Sequence, residues 1–133
     1  MSTEKIYSYK DKSDTSFQSG EILRDKHMYN SSIHCFYYSC IQIANHYFNK
    51  VEKLSDNEIR KKFSTPESHN QTINYLVKKF GLSTRKILVT DLSALKDSRK
   101  KADYRIFPVY KEESDDALEY ATDIRDTIIK NIK

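Results

Sequence analysis

Five polar side chains stand where their type and spacing allow chemistry: His34, His69, Arg99, Asp103 and Tyr104. Arg99 and Asp103 are four residues apart, the spacing of a helical ion pair worth only about 0.3–0.5 kcal/mol at a surface. Arg99 also falls in phase with Leu88, Leu92, Leu95 and Ala102, which mark the inward stripe of a helix. A guanidinium on such a stripe has to be paired or functional, because burying an unpaired charge is costly. His69 heads a second stripe made of Ile73, Leu76, Val77 and Phe80. It suits either a hydrogen-bonded, partly buried imidazole or a reactive one. His34 lies one turn before Tyr37 and Tyr38, so the three line a groove, or the tyrosines belong to the core with only their polar tips outward.

Other chemistries find little support. None of the 4 histidines has a glutamate three residues before it, so the Glu-x-x-His pairs of di-iron bundles are absent, as are CxxC and HExxH. No metal and no cofactor are expected. His34 adjoins Cys35, but neighbours on a helix point about 100° apart, which suits a core cysteine better than a Cys–His nucleophile. Cys35 and Cys40 point about 140° apart on one helix and are read as free thiols of a reducing cytosol.

The elements that must position these residues are helices. The 133 residues contain only 2 Gly and 2 Pro, where average usage would give about 16 together. Folds with many tight turns need residues that reach positive φ, and Gly-rich phosphate loops cannot be written with Gly20 and Gly81 alone. The 32% of charged residues and mean hydropathy of -0.77 suit solvated helix faces around one domain spanning 1–133. The net charge of +4 permits an acidic partner such as RNA without demanding one. No apolar stretch approaches 18 residues and the charged N-terminus lacks an apolar leader core, so a cytoplasmic protein is expected. The first few residues are candidates for disorder.

Periodicity predicts five helical segments. The first, about Ile6 to Lys26, carries Tyr9, Ser13, Phe17, Gly20 and Leu23 inward, with Ser13 and Gly20 small enough for a close crossing. The second, about Tyr29 to Phe48, is apolar around most of its circumference and has Asn30, Ser31 and Ser32 as N-cap candidates. After a short turn of helix over Ser55 to Phe63, Ser64-Thr65-Pro66-Glu67 reads as the start of a third, which Gly81 stops. The fourth spans about Ser83 to Tyr104, with β-branched Ile87, Val89 and Thr90 weakening its start. Pro108 lies in the next connection. The last helix, about Lys111 to Ile132, buries Ala117, Leu118, Ala121, Ile124, Ile128 and Ile132.

Four of these segments, in order, resemble the HEPN superfamily. Tyr29-Asn30-Ser31-Ser32-Ile33-His34-Cys35-Phe36-Tyr37-Tyr38-Ser39-Cys40 resembles its second helix, with a Tyr-Tyr-small signature. Ser68-His69 with Leu76 and Phe80 resembles the Ser-His opening of its third. Leu95 through Arg99-Lys100-Lys101-Ala102-Asp103-Tyr104 is similar to the Arg-x-x-Ala-Asp-Tyr signature of its small stand-alone branch. The acidic start of the last helix, Glu112 to Leu118, agrees. The resemblance covers about residues 9 to 132, with a shortened loop after Gly81.

This resemblance implies an all-α, antiparallel four- to five-helix up-and-down bundle that forms a homodimer. It also implies RNA cleavage, RNA or nucleotide binding, or pairing with a nucleotidyltransferase-type partner protein in a toxin–antitoxin module. The RNase members use Arg-x(4–6)-His. Here Arg24 and His34 are separated by nine residues, Arg60 and His69 by eight, and no His follows Arg99. The motif therefore does not carry over. His69 and Arg99 could substitute for it, the imidazole as general acid–base and the guanidinium stabilising a phosphorane-like transition state. The leading expectation is a HEPN-like toxin–antitoxin or defence module engaging RNA or a nucleotide, with His34, Tyr37, Tyr38, Asp103 and Tyr104 as binding residues. The alternatives are a non-catalytic protein-binding or dimerisation module and a metal-independent endoribonuclease built on His69 and Arg99.

Overall fold

The computed structural model describes residues 8–63, 68–104, 106 and 108–132, leaving out the side chains of 62, 63 and 68–70. Among the described residues six α-helices follow one another: α1 (Tyr9–Asp25), α2 (Tyr29–Lys50), α3 (Asp56–Phe63), α4 (Ser68–Phe80), α5 (Leu92–Tyr104) and α6 (Lys111–Lys130). A 3-10 turn over Leu82–Thr84 and a π-helical stretch over Lys86–Asp91 lead into α5. The described residues contain no strand, and the all-α expectation holds. The helix count exceeds the expected four to five. The short turn predicted at Ser55–Phe63 is a full helix, α3. Its start is locked reciprocally: the Glu58 amide donates to Ser55 Oγ (3.2 Å) and the Ser55 amide donates to Glu58 Oε1 (3.1 Å).

The centre is α2, against which α1, α5 and α6 all pack. Ile33, Phe36, Tyr37, Cys40, Ala44, Tyr47 and Phe48 are buried as the pattern predicts, while Ile41 is only half-buried. The cap expectation for α2 fails. Met28 takes the N-cap position without a side-chain bond. The candidate side chains serve tertiary contacts instead: Asn30 Nδ2 donates to the Ala102 carbonyl (3.1 Å), and the Ser32 and Ser114 hydroxyls share a 2.5 Å hydrogen bond between α2 and α6. A hydroxyl buried between helices has more to lose from lacking a partner than one at a solvated helix end.

The α1–α2 crossing is as close as its small residues suggest. A Cβ at Gly20 would lie 2.6 Å from Phe36 Cε1, and Ser13 Oγ donates to the Ser39 carbonyl at 2.6 Å. Helix α1 begins later than expected, capped by Ser8, whose Oγ accepts from the Asp11 amide (3.1 Å). Gly81 ends α4 as predicted, at φ 101°, a conformation that costs glycine nothing. The helix predicted from Ser83 begins as 3-10 and π turns, across the β-branched run that weakened its pattern. The α6 stripe is inward as expected, with Ala117, Ala121, Ile124 and Ile128 buried. The predicted start at residues 64–67 and the first few residues of the chain lie outside the described residues.

Candidate functional site

The last turns of α5 and the first turns of α2 bring together six residues singled out by sequence: His34, Tyr37, Tyr38, Arg99, Asp103 and Tyr104. Two contacts hold the frame. The Asn30 amide satisfies an α5 carbonyl that the helix itself leaves open, at Ala102. Lys101 Nζ donates to Glu113 Oε2 (2.9 Å) and ties the end of α5 to the start of α6.

His34 and Asp103 form the centre of the cluster. His34 Nδ1 lies 2.9 Å from Asp103 Oδ2 and 3.1 Å from Oδ1. With Nδ1 engaged by the carboxylate, the imidazole of the neutral form carries its accepting lone pair on Nε2. A carboxylate-oriented, half-exposed imidazole has the form of a general acid–base group. This pair spans 69 residues of sequence, so periodicity along one helix could not reveal it.

Arg99 lies behind that pair, 13% exposed. Its Nη1 is 3.5 Å from Asp103 Oδ2 and donates to the Tyr104 hydroxyl at 3.4 Å, both long contacts. Its guanidinium carbon stands 4.9 Å from the Tyr37 ring centroid and 5.7 Å from that of Tyr104. Its Nε is buried without a hydrogen-bond partner. Burial opposes the charge, but the Tyr37, Tyr38 and Tyr104 oxygens outweigh it and hold Arg99 above its ordinary pKa. The expected Arg99–Asp103 ion pair is therefore present but long, and Asp103 makes its shorter contact with His34.

The tyrosines divide between the two roles the sequence left open. Tyr37 belongs to the core at 1% exposure, and burial pushes its phenol pKa upward, so a ligand would meet Arg99 before Tyr37. Tyr38 is exposed and packs on His34 with ring centroids 4.6 Å apart. Tyr104 is 75% exposed, and Ile106 and Tyr110 beyond it are exposed too. His34 separates two clefts. One of about 320 Å³ lies between α2 and α5, with Asn30, Ala102 and Asp103 in its walls. The other, about 400 Å³, lies between α1 and α2, with Lys12, Tyr38 and Gln42 in its walls.

His69 sits in the first turn of α4, and its side chain lies outside the described residues, as does any pairing of it with Arg99. Helix α4 packs on α3, on the segment leading into α5 and, through Phe80 and Tyr75, on Tyr47 and Phe48 near the end of α2, whereas Arg99 lies over Tyr37 nearer the start of α2. Burial raises the Cys35 pKa and takes that of Cys40 up to about 12, so both thiols stay protonated at neutral pH. Among the described residues no three His, Cys, Asp or Glu side chains converge as a metal site, and no helix is long and apolar enough to cross a membrane.

A second inward arginine was not singled out in the sequence. Arg125, also 13% exposed, donates through Nη2 to Asp14 and through Nε to Ser13 Oγ (3.1 Å), and covers the Phe17 ring at 4.7 Å. The same spacing rule applied to Ala121, Arg125, Ile128 and Ile132 would have found it. Comparison with protein-family models, curated proteins and solved structures gives no match.

Proposed function

We propose that this chain is a HEPN-like antiparallel helical module of a toxin–antitoxin or defence-type system that engages RNA or a nucleotide at the α2–α5 cluster. The observation that carries the reading is Arg99. It is a cation held inside the fold whose Nε has no partner and whose Nη1 makes only long contacts, while the guanidinium also donates a hydrogen bond to the Tyr37 hydroxyl. A phosphate oxygen is the partner such a fork suits. Around it, Tyr38 and Tyr104 offer exposed ring faces on which a base could stack, and His34 stands ready with an oriented imidazole.

The test is binding of a labelled single-stranded RNA and of a nucleoside triphosphate, each over a series of salt concentrations. Affinity that weakens with salt and falls about tenfold in Arg99→Ala, with helicity retained, is the expected outcome. Equal affinity in Arg99→Ala would overturn the reading. Cleavage of the bound RNA, if seen, is assigned by comparing His34→Ala with His69→Ala.

A second reading is favoured by one further feature. Tyr104, Ile106 and Tyr110 make an exposed apolar rim beside the cluster, which suits a non-catalytic protein-binding or homodimerising surface. Sedimentation at micromolar concentration distinguishes it: a monomer that binds RNA leaves only the first reading.

A further inference from the structure

A further cavity lies between α1, α2, α3 and α4, with Leu92 and Ile128 also in its walls, and shares Lys12 and Gln42 with the α1–α2 cleft beside His34. We propose that it binds a small amphipathic anion, an alkyl carboxylate, with the chain inward and the carboxylate at the rim. The proposal stands independently of the RNA reading, because the Arg99 cluster contributes nothing to these walls.

The cavity measures about 420 Å³, within the range of small-molecule sites. Its floor is apolar: Cys40 and Ala44 of α2, Ile59 of α3, Leu76 of α4 and Ile128 of α6. These side chains are almost closed to water, so each presents only an edge to the cavity. Apolar walls of this kind suit an alkyl chain. The one heteroatom in that floor, Cys40 Sγ, belongs to a neutral thiol and offers no charge to a polar head. Water at such a surface is poorly bonded, and displacing it with methylene groups is favourable.

The rim carries the charge. Asp56 accepts a hydrogen bond from the Tyr9 hydroxyl, and Arg60 Nη2 lies 2.7 Å from its Oδ2. Those contacts, the Tyr9 hydrogen bond foremost, hold the Asp56 carboxyl below its usual pKa. Lys12 adds a second cation, its Nζ 5.9 Å from the Tyr9 ring centroid. Two cations against one carboxylate leave the mouth with a single positive excess. Gln42, Asn45 and Thr72 supply neutral polar groups around it. An apolar floor under a cationic rim discriminates by head group: a carboxylate gains from Lys12, and an ammonium of the same chain length is repelled.

The experiment is calorimetric titration of the full chain with octanoate and with octylammonium, together with thermal unfolding in each. Octanoate is expected to bind at one site and raise the melting temperature, with octylammonium weaker by about tenfold or more. Thr72→Phe fills the mouth from a half-buried position, and Lys12→Glu reverses the exposed cation. Each is expected to weaken octanoate about tenfold. Absence of saturable octanoate binding overturns the site, and so does binding that Lys12→Glu leaves unchanged. Equal affinity for octylammonium overturns the head-group assignment. Should Thr72→Phe fail to fold, Lys12→Glu, at an exposed position, and the head-group comparison decide.

Discussion

The two inward arginines sit at different helix contacts, Arg125 against α1 and Arg99 against Tyr37 of α2, and they differ in what their donors do. Arg125, between α1 and α6, is equally buried but closely bonded: a carboxylate on Nη2, a hydroxyl on Nε, a ring against its face. The Ser13 hydroxyl that accepts from it passes the connection on to the Ser39 carbonyl of α2. Arg99, between α2 and α5, has long contacts and an unpartnered Nε. A buried charge whose donors are used is a brace, and one with donors to spare is suited to a ligand. Both came from the same helical spacing, so the spacing identifies an inward cation without telling its role.

The sharpest way to break this contrast is to remove each arginine. Arg125→Ala takes one partner from Asp14, which keeps Lys10, and one from Ser13, which keeps the Ser39 carbonyl, and should cost about 2 kcal/mol of stability, a figure reduced because Asp14 is partly solvated. Arg99→Ala should cost about 1 kcal/mol or less while lowering RNA affinity. Urea unfolding of the two variants checks the order, and a larger loss at Arg99 would reverse the assignment of roles.

Next in size is Gly20→Ala. The added methyl gains about 1 kcal/mol of helix propensity, but it collides with the Phe36 ring, which is fully buried. Overpacking of this kind costs about 1–3 kcal/mol, so a net loss is expected. It should loosen the α1 side alone. Unfolding at lower urea with unchanged RNA affinity would show that the two sides are separable.

A pH effect should also belong to the α1 side. His46 is buried near Lys50 and Lys10, with Asp14 and Asp11 opposing them, and burial leads in holding its pKa below the ordinary 6.5. The unfolded chain then takes up the proton first. Stability is full above the unfolded value and declines as pH falls through it toward the folded one. Urea midpoints should drop as pH falls below about 6.5, and His46→Gln should flatten that slope. The smallest stability effect is expected at His34→Ala, about 0.5 kcal/mol, because the pair with Asp103 is half-exposed. Its consequence should appear in RNA binding or cleavage, measured beside His69→Ala.

Much of the helical framework could be read from residue order. The stripe of α6, the all-round burial of α2, the small residues at Ser13 and Gly20, and the stop at Gly81 are local patterns that one helix states for itself. The boundaries were less legible where polar residues have two possible partners. Asn30 and Ser32 could cap α2, but they bond to α5 and α6, and only the packed neighbours decide which. The same ambiguity covers Tyr37 and Tyr38, adjacent in sequence yet divided between core and surface by where α5 lies.

The sequence by itself determined that this protein is helical, because four Gly and Pro residues leave little material for anything else, and it determined which positions face inward, because helical spacing does that. It also marked Arg99 as a charge needing an explanation. Tertiary structure alone decided the explanation. The His34–Asp103 bond, the cavity beneath Lys12 and the closely bonded state of Arg125 each join residues from different helices. Their distances depend on how the helices cross, and no spacing within a single helix encodes that.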